Sequence, residues 1–183
     1  MAHQRQEIRE AVAAQLTGTD PDFATGADDR VRESRMIPWP RIQLPAIAVY
    51  TLEETVEPVE TASREINRKL SLAIEIAAEA SDDVDDTLDT LCAEVEAAMA
   101  LDETFDGKAA ASILASTDID LLEVGQKMVG LARLVYTVTY QTDAAVVDAD
   151  LDNFDTADIV HNLGNEVLEA DQAEDLVEDI YEE

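Results

Sequence analysis

Residues 3–17 place Ile8, Val12 and Leu16 at i, i+4 and i+8, the spacing of one face of an amphipathic helix. Gly18 and the Thr-Asp-Pro that follows end it, and the polar, turn-rich residues 18–29 read as a loop. From Arg30 to Arg41 the pattern first alternates like a strand and is then broken by Pro38 and Pro40, which cannot donate to a ladder. Leu44-Pro45-Ala46-Ile47-Ala48-Val49-Tyr50 predicts a buried strand, and the acidic stretch 53–61 around Pro58 a connection. Residues 64–77 alternate cleanly, with Ile66, Leu70, Leu72, Ile74 and Ile76 on one side and Glu65, Asn67, Lys69, Ser71 and Glu75 on the other. That is a long half-buried strand, antiparallel to its neighbour.

Ser81-Asp82-Asp83 reads as the cap of a second helix, whose apolar face is Val84, Leu88, Leu91, Val95 and Met99. Its acidic first turn suits the positive end of the helix dipole. A turn at Asp106-Gly107-Lys108, a short apolar segment and a strand over Asp118–Gln126 follow, with Gly125 or Gly130 marking a bend or bulge. Residues 128–141 form the closing strand, with Leu134, Tyr136, Val138 and Tyr140 on one face. The expected fold is α+β: a single mixed, mainly antiparallel sheet with helices packed on one face, plus an acidic C-terminal extension.

The extension begins where the composition changes. Residues 143–183 hold fifteen acidic side chains and no Lys or Arg, so the chain divides into 1–142, the α+β domain, and 143–183. Sparse apolar residues (Val167, Leu168, Leu176, Val177, Ile180) predict a helix at about 163–181. With so little apolar surface, such an appendage is expected to lie against a neighbouring subunit.

Composition narrows the class. At 183 residues and 46% apolar the chain can bury a core, and with 4% aromatics that core is built from Val, Leu, Ile and Ala. No apolar run approaches the ~20 residues of a membrane span, and Met1-Ala2-His3-Gln4-Arg5 opens no signal peptide, so a soluble protein of the cytoplasm is expected. Cys92 is the one cysteine, which excludes an internal disulfide or a cysteine-based zinc site; set among Leu88, Leu91 and Val95 it reads as a small buried apolar residue.

Charge changes the picture most. Forty-two acidic residues face twelve basic ones, a formal net charge of −30, and lysine occurs only at 69, 108 and 127. Residues 1–141 alone carry 27 acidic and 12 basic side chains, so the excess runs through the body as well as the extension. An acidic, lysine-poor chain of this kind resembles proteins of salt-loving archaea. It also lacks the clustered Lys and Arg that nucleic-acid binding requires.

The residues offer no catalytic constellation: no glycine-rich phosphate loop, nucleophile elbow or paired-histidine metal helix. His3 and His161 stand apart. Asp148-x-Asp150-x-Asp152 resembles the start of a calcium loop, but Asn153 and Ile159 occupy the positions where that loop needs Gly and Glu. No enzyme, cofactor or metal is therefore expected. The arginines at 30, 32, 35 and 41 are notable in a chain so poor in basic residues. Either they pair with local acids such as Asp28, Asp29 and Glu33, or Arg30, Arg32, Arg35 and Arg41 bridge to the acidic face of an adjacent subunit, with Trp39, between two prolines, as a rigid anchor.

Three stretches resemble the phage lambda tail-terminator family. Leu44–Tyr50 is similar to its Pro-Ala-x-x-Val-Tyr strand, the acid-capped helix 82–100 follows the long strand as it does there, and Leu134-Val135-Tyr136-Thr137-Val138-Thr139-Tyr140 resembles its closing Leu-x-Tyr-x-x-Thr-Tyr strand. The match spans roughly residues 3–142 and leaves out the extension. It implies a virion protein: a homo-hexameric ring that seats on the tail tube protein, stops tube polymerisation and meets a neck or head-completion protein, while genome DNA passes without specific binding. Two alternatives stand beside it: another neck, head-closure or tube ring of the same particle, and a small acidic adaptor of a halophilic cell.

The charge yields the first prediction. Self-repulsion strains the compact state at low salt and is largely screened at molar salt, where the Debye length is ~3 Å. The thermal unfolding midpoint should rise steadily through a KCl series. A midpoint indifferent to salt would remove the repulsion argument.

Overall fold

The computed structural model describes residues 3–19, 21–33, 40, 43–58, 65–80, 83–124, 127–143, 156–160 and 174–178. The first helix, α1 (Gln4–Thr17), buries Ile8, Val12 and Leu16 completely, as the spacing predicts. His3 caps its start, Nδ1 accepting from the Arg5 N–H. Gly18 ends it at φ 72°, where a Cβ would stand 2.7 Å from the Ala24 nitrogen. Part of the expected loop is instead a minimal antiparallel ladder, β1 (Gly18–Thr19) with β2 (Asp22–Phe23).

Five further strands make the main sheet: β3 (Val31–Arg32), β4 (Ala46–Pro58), β5 (Glu65–Ala80), β6 (Ala111–Val124) and β7 (Lys127–Asp143), in the order β3-β4-β5-β7-β6. All neighbours are antiparallel except β3 and β4, so the mixed, mainly antiparallel sheet is as expected. The period-two pattern of β5 sets its orientation. Leu70, Leu72, Ile74 and Ile76 are fully buried, and opposite them on β7 lie Val138, Tyr136, Leu134 and Ala132. The second helix, α2 (Val84–Leu101), lies over β5 and β7 and buries Val84, Leu88, Leu91, Val95 and Met99. Cys92 is buried among them as a packing residue; burial pushes its thiol pKa up, and Asp89 and Glu96 add to the effect.

The strands run further than the sequence suggests. The stretch 53–61, expected as a connection, continues β4 as far as Pro58. Leu52, Glu53, Thr55, Val56 and Glu57 are exposed there, and an outer strand can carry such residues because it needs no apolar neighbour on that side. Pro58 is tolerated at the last position, where a missing N–H costs least. Likewise β6 starts at Ala111 rather than Asp118. The irregularities sit at Leu52 in β4 and Ala115 in β6, each skipped by the register. Gly130, expected at a bend or bulge, is in register with Ala78 on one side and Leu121 on the other. Its role is clearance: a Cβ there would stand 2.6 Å from Leu88 Cδ1 and 2.8 Å from Val84 Cγ2.

The ends of α2 are tied by other means than the sequence indicates. Asp83 is the N-cap but makes no side-chain cap bond; its carbonyl accepts from the Thr87 N–H and hydroxyl, while Ser81 and Asp82 lie outside the described residues. At the C-terminus the Gln15 amide donates to the Ala98 and Asp102 carbonyls, satisfying groups the helix leaves open. The Asp102 carboxylate then accepts from the Thr104 N–H and hydroxyl and the Asp106 N–H, shaping the turn that inserts Phe105 into the core. Those bonds, the one from the Asp106 N–H largest, lower the Asp102 pKa to about 2. No described helix is long and apolar enough to cross a membrane.

Residues 145–183 form a separate unit. Its described elements are two antiparallel strands, β8 (Thr156–Val160) and β9 (Glu174–Glu178), so the helix expected at about 163–181 is a strand over 174–178. In β9, Leu176 and Val177 are adjacent, a spacing that suits a ladder as readily as a helix turn.

The clearance at Gly130 gives a prediction. Gly130→Ala should overpack the α2 seam and cost about 1–3 kcal/mol. Combined with Leu88→Ala, the loss should be less than additive, because the two changes share one space. Urea unfolding of the four proteins of the cycle would check this; strict additivity would refute the clearance role.

Candidate interaction surfaces

Of the five residues singled out for an interface, Arg30 and Arg32 are described; Arg35, Trp39 and Arg41 lie outside the described residues. Arg30 is committed locally. Its Nε donates to the Pro45 carbonyl at 2.7 Å, and its Nη2 reaches the Gly26 carbonyl at 3.3 Å and the Asp28 carboxylate at 3.1 Å. It thereby fixes the loop before β3 to the start of β4. Arg32 lies exposed on β3, opposite Ala48.

The structure brings together two polar clusters that the sequence reading missed. On the helix-covered face, Glu54 receives the Tyr140 hydroxyl, Arg68 Nη1 at 2.7 Å and Arg5 Nη1 at 3.5 Å. Arg68 Nε also donates to the Thr142 hydroxyl at 2.7 Å. One carboxylate thus joins α1, β4, β5 and β7. Burial works to raise the Glu54 pKa, but the bonds from Tyr140 and Arg68 and the charges of Arg68 and Arg5 outweigh it and hold the carboxyl below its ordinary value. The Tyr140 hydroxyl is pushed well up, by burial first and then by Glu54. On the opposite face, Glu75 accepts from the Tyr50 hydroxyl at 2.5 Å and from Arg133 Nη2 at 3.2 Å. Burial and the Glu75 bond raise the Tyr50 pKa, and the Glu75 bond raises that of Arg133. Reading 53–61 as a connection hid the first cluster, because the pairing of Glu54 with Leu70 exists only if β4 continues past the Leu52 bulge.

The sheet is wider than its helices. α1 packs on β3 and β4, α2 on β5 and β7, and the outermost strand β6 shows Ile113, Ile119 and Leu121 to solvent beside Asp118 and Asp120. Exposed aliphatics on an outer strand, interrupted by a bulge and acids, mark a surface guarded against casual pairing. Among the described residues no group of three or more His, Cys, Asp or Glu side chains is gathered to hold a metal ion. The Asp148–Asp152 run lies outside them.

No family model and no curated protein matches the chain. Among solved structures it is similar to a chain from the "Virion of native gene transfer agent (GTA) particle", at 13% identity and a TM-score of 0.43, over 74% of this chain and 95% of that one. At that TM-score the likeness carries no argument about function, which rests on this chain's own residues.

The Glu54 cluster predicts an acid sensitivity. A carboxyl whose folded pKa lies below the unfolded value contributes fully above the unfolded value, ~4.3, and loses that contribution as pH falls through the lower folded one. Glu54→Gln leaves Arg68 short of its anion and should cost about 2 kcal/mol near neutral pH. The cost should shrink as pH falls below 4.3, ~4.3 being the ordinary glutamate value. Denaturant unfolding of both proteins against pH checks it; an equal difference at acid and neutral pH would contradict the assignment.

Proposed function

We propose that this chain is a structural protein of a viral particle, not an enzyme: a subunit of a homo-hexameric ring that caps the tail tube, ends tube polymerisation and joins the tail to a neck or head-completion protein. The observation that carries the reading is the placement of the three stretches resembling the tail-terminator family. The Pro-Ala-Ile-Ala-Val-Tyr strand becomes β4, the Leu-Val-Tyr-Thr-Val-Thr-Tyr strand becomes β7, and the acid-capped helix becomes α2. All three meet on β5 and contribute Val49, Leu134, Tyr136, Tyr140, Leu88 and Val95 to one core. Their order in the chain is therefore also a packing unit.

Surface and charge support the same reading. A ring subunit needs strand edges and faces for neighbours, and among the described residues the outer edge of β4 beyond Ala48 is unpaired. A net charge of −30 disfavours adhesion of DNA passing through the ring. The segment holding Arg32, Arg35, Trp39 and Arg41 is assigned to the contact with the adjacent subunit. The salt-loving setting belongs to the proposal too, on the strength of the acidic, lysine-poor composition.

Mass measurement in about molar KCl, where repulsion between subunits is screened, should give a closed ring, alone or on addition of tube protein, with one ring per tube end. Monomers under both conditions would overturn the reading. Incorporation at many levels along the tube would instead identify a tube subunit.

A further inference from the structure

A cleft of about 270 Å³ runs between α2 and β6. Its floor is Met99, Leu114 and Tyr136, and its rim carries Glu96 and Glu103. Within it lies Ser112, on the helix-facing side of β6 opposite Val138 and only 6% exposed, whose hydroxyl has no hydrogen-bond partner. A buried hydroxyl left without a partner is a cost the fold does not repay, and it marks a place where a partner group belongs. The acids reach this space electrostatically: burial first, then the charge of Glu96, raises the Tyr136 pKa to about 12. Apolar floor, anionic rim and one idle polar group describe a site for a cationic side chain with a long aliphatic stem.

The neighbouring edge adds backbone. Among the described residues β6 is the last strand of its sheet, so its outer side offers N–H and C=O groups to an extended segment. Asp118 and Asp120 repel an acidic strand there and attract a basic one. We propose that the α2–β6 cleft is a docking site for an extended segment of a different protein, alternating aliphatic residues with arginine or lysine. The arginine or lysine stem lies on Met99 and Leu114, its charge rests between Glu96 and Glu103, and Ser112 hydrogen-bonds a polar group of the segment. A second copy of this chain is a poor donor of that segment: in its arginine-rich stretch 30–41, Val31 and Arg32 already pair with β4 of their own chain, and Pro38 and Pro40 cannot donate to a ladder. The proposal holds for a monomer as well as a ring, so its failure would leave the ring reading standing.

The test is fluorescence anisotropy of the full chain with three short labelled peptides: alternating Leu and Arg, alternating Ser and Arg, and alternating Leu and Glu. The Leu/Arg peptide should bind about tenfold more tightly than the Ser/Arg peptide of equal charge, and the Leu/Glu peptide should not bind. Glu96→Gln with Glu103→Gln should weaken Leu/Arg binding about tenfold, while Glu7→Gln with Glu10→Gln, an equal change of charge placed on α1, should leave it unchanged. Ser112→Ala should move two readouts in opposite directions, raising the unfolding midpoint of the free chain and weakening the peptide. Equal binding of the two arginine peptides, or binding unmoved by the rim changes, would overturn the proposal. So would rim changes that alter self-association in sedimentation but not peptide binding, since the occupant would then be a second copy.

Discussion

The unbroken register between β5 and β7 is the constraint on which the rest of the domain depends. Sixteen successive pairs run from Glu65 opposite Asp143 to Ala80 opposite Met128 without a bulge. Because side chains alternate, a slip of one residue would turn Leu70, Leu72, Ile74 and Ile76 outward and leave α2 nothing to cover. Both irregularities are confined to the flanking strands, β4 at Leu52 and β6 at Ala115. The central pair stays regular, and the adjustments that re-aim side chains are made at its sides. Gly130 completes the seam, since α2 approaches β7 so closely that no Cβ fits between them.

Much of this was legible in the sequence, and the reasons differ by element. α1, β5 and α2 announce themselves by period, because each buries one face and exposes the other. The ends of β4 and β6 did not, because residues such as Glu53, Glu57 and Asp118 lie exposed on outer strands, where burial imposes no pattern. The Glu54 cluster was hidden for the same reason: it joins residues 5, 54, 68, 140 and 142, which only the register brings together. Gly130 was visible as an exception but not as to kind, since a glycine in a strand serves a bulge or a close approach and only the packing of Leu88 decides which. Of the arginine segment the sequence offered two readings, and Arg30 takes the local one through Asp28.

Several of the described cations are used inside the chain. Arg5 and Arg68 converge on Glu54, Arg133 on Glu75, Arg30 on Asp28 and Lys108 on Asp106. These pairs fasten helix to strand and strand to strand and brace two loops. The net charge of −30 leaves carboxylates in large excess. Such an excess keeps copies apart unless salt screens it or a complementary cationic segment meets it.

One strand carries that argument further than any other. The helices cover the sheet as far as β7, and among the described residues β6, with its exposed aliphatic side chains, is left uncovered; it is there that we propose a partner docks. Amide hydrogen exchange measured on the free chain and on the particle to which we propose it belongs tests this directly. Residues 111–121 should exchange at least about tenfold more slowly in the particle than in the free chain. Unchanged exchange along β6, with new protection only elsewhere on the domain, would contradict it.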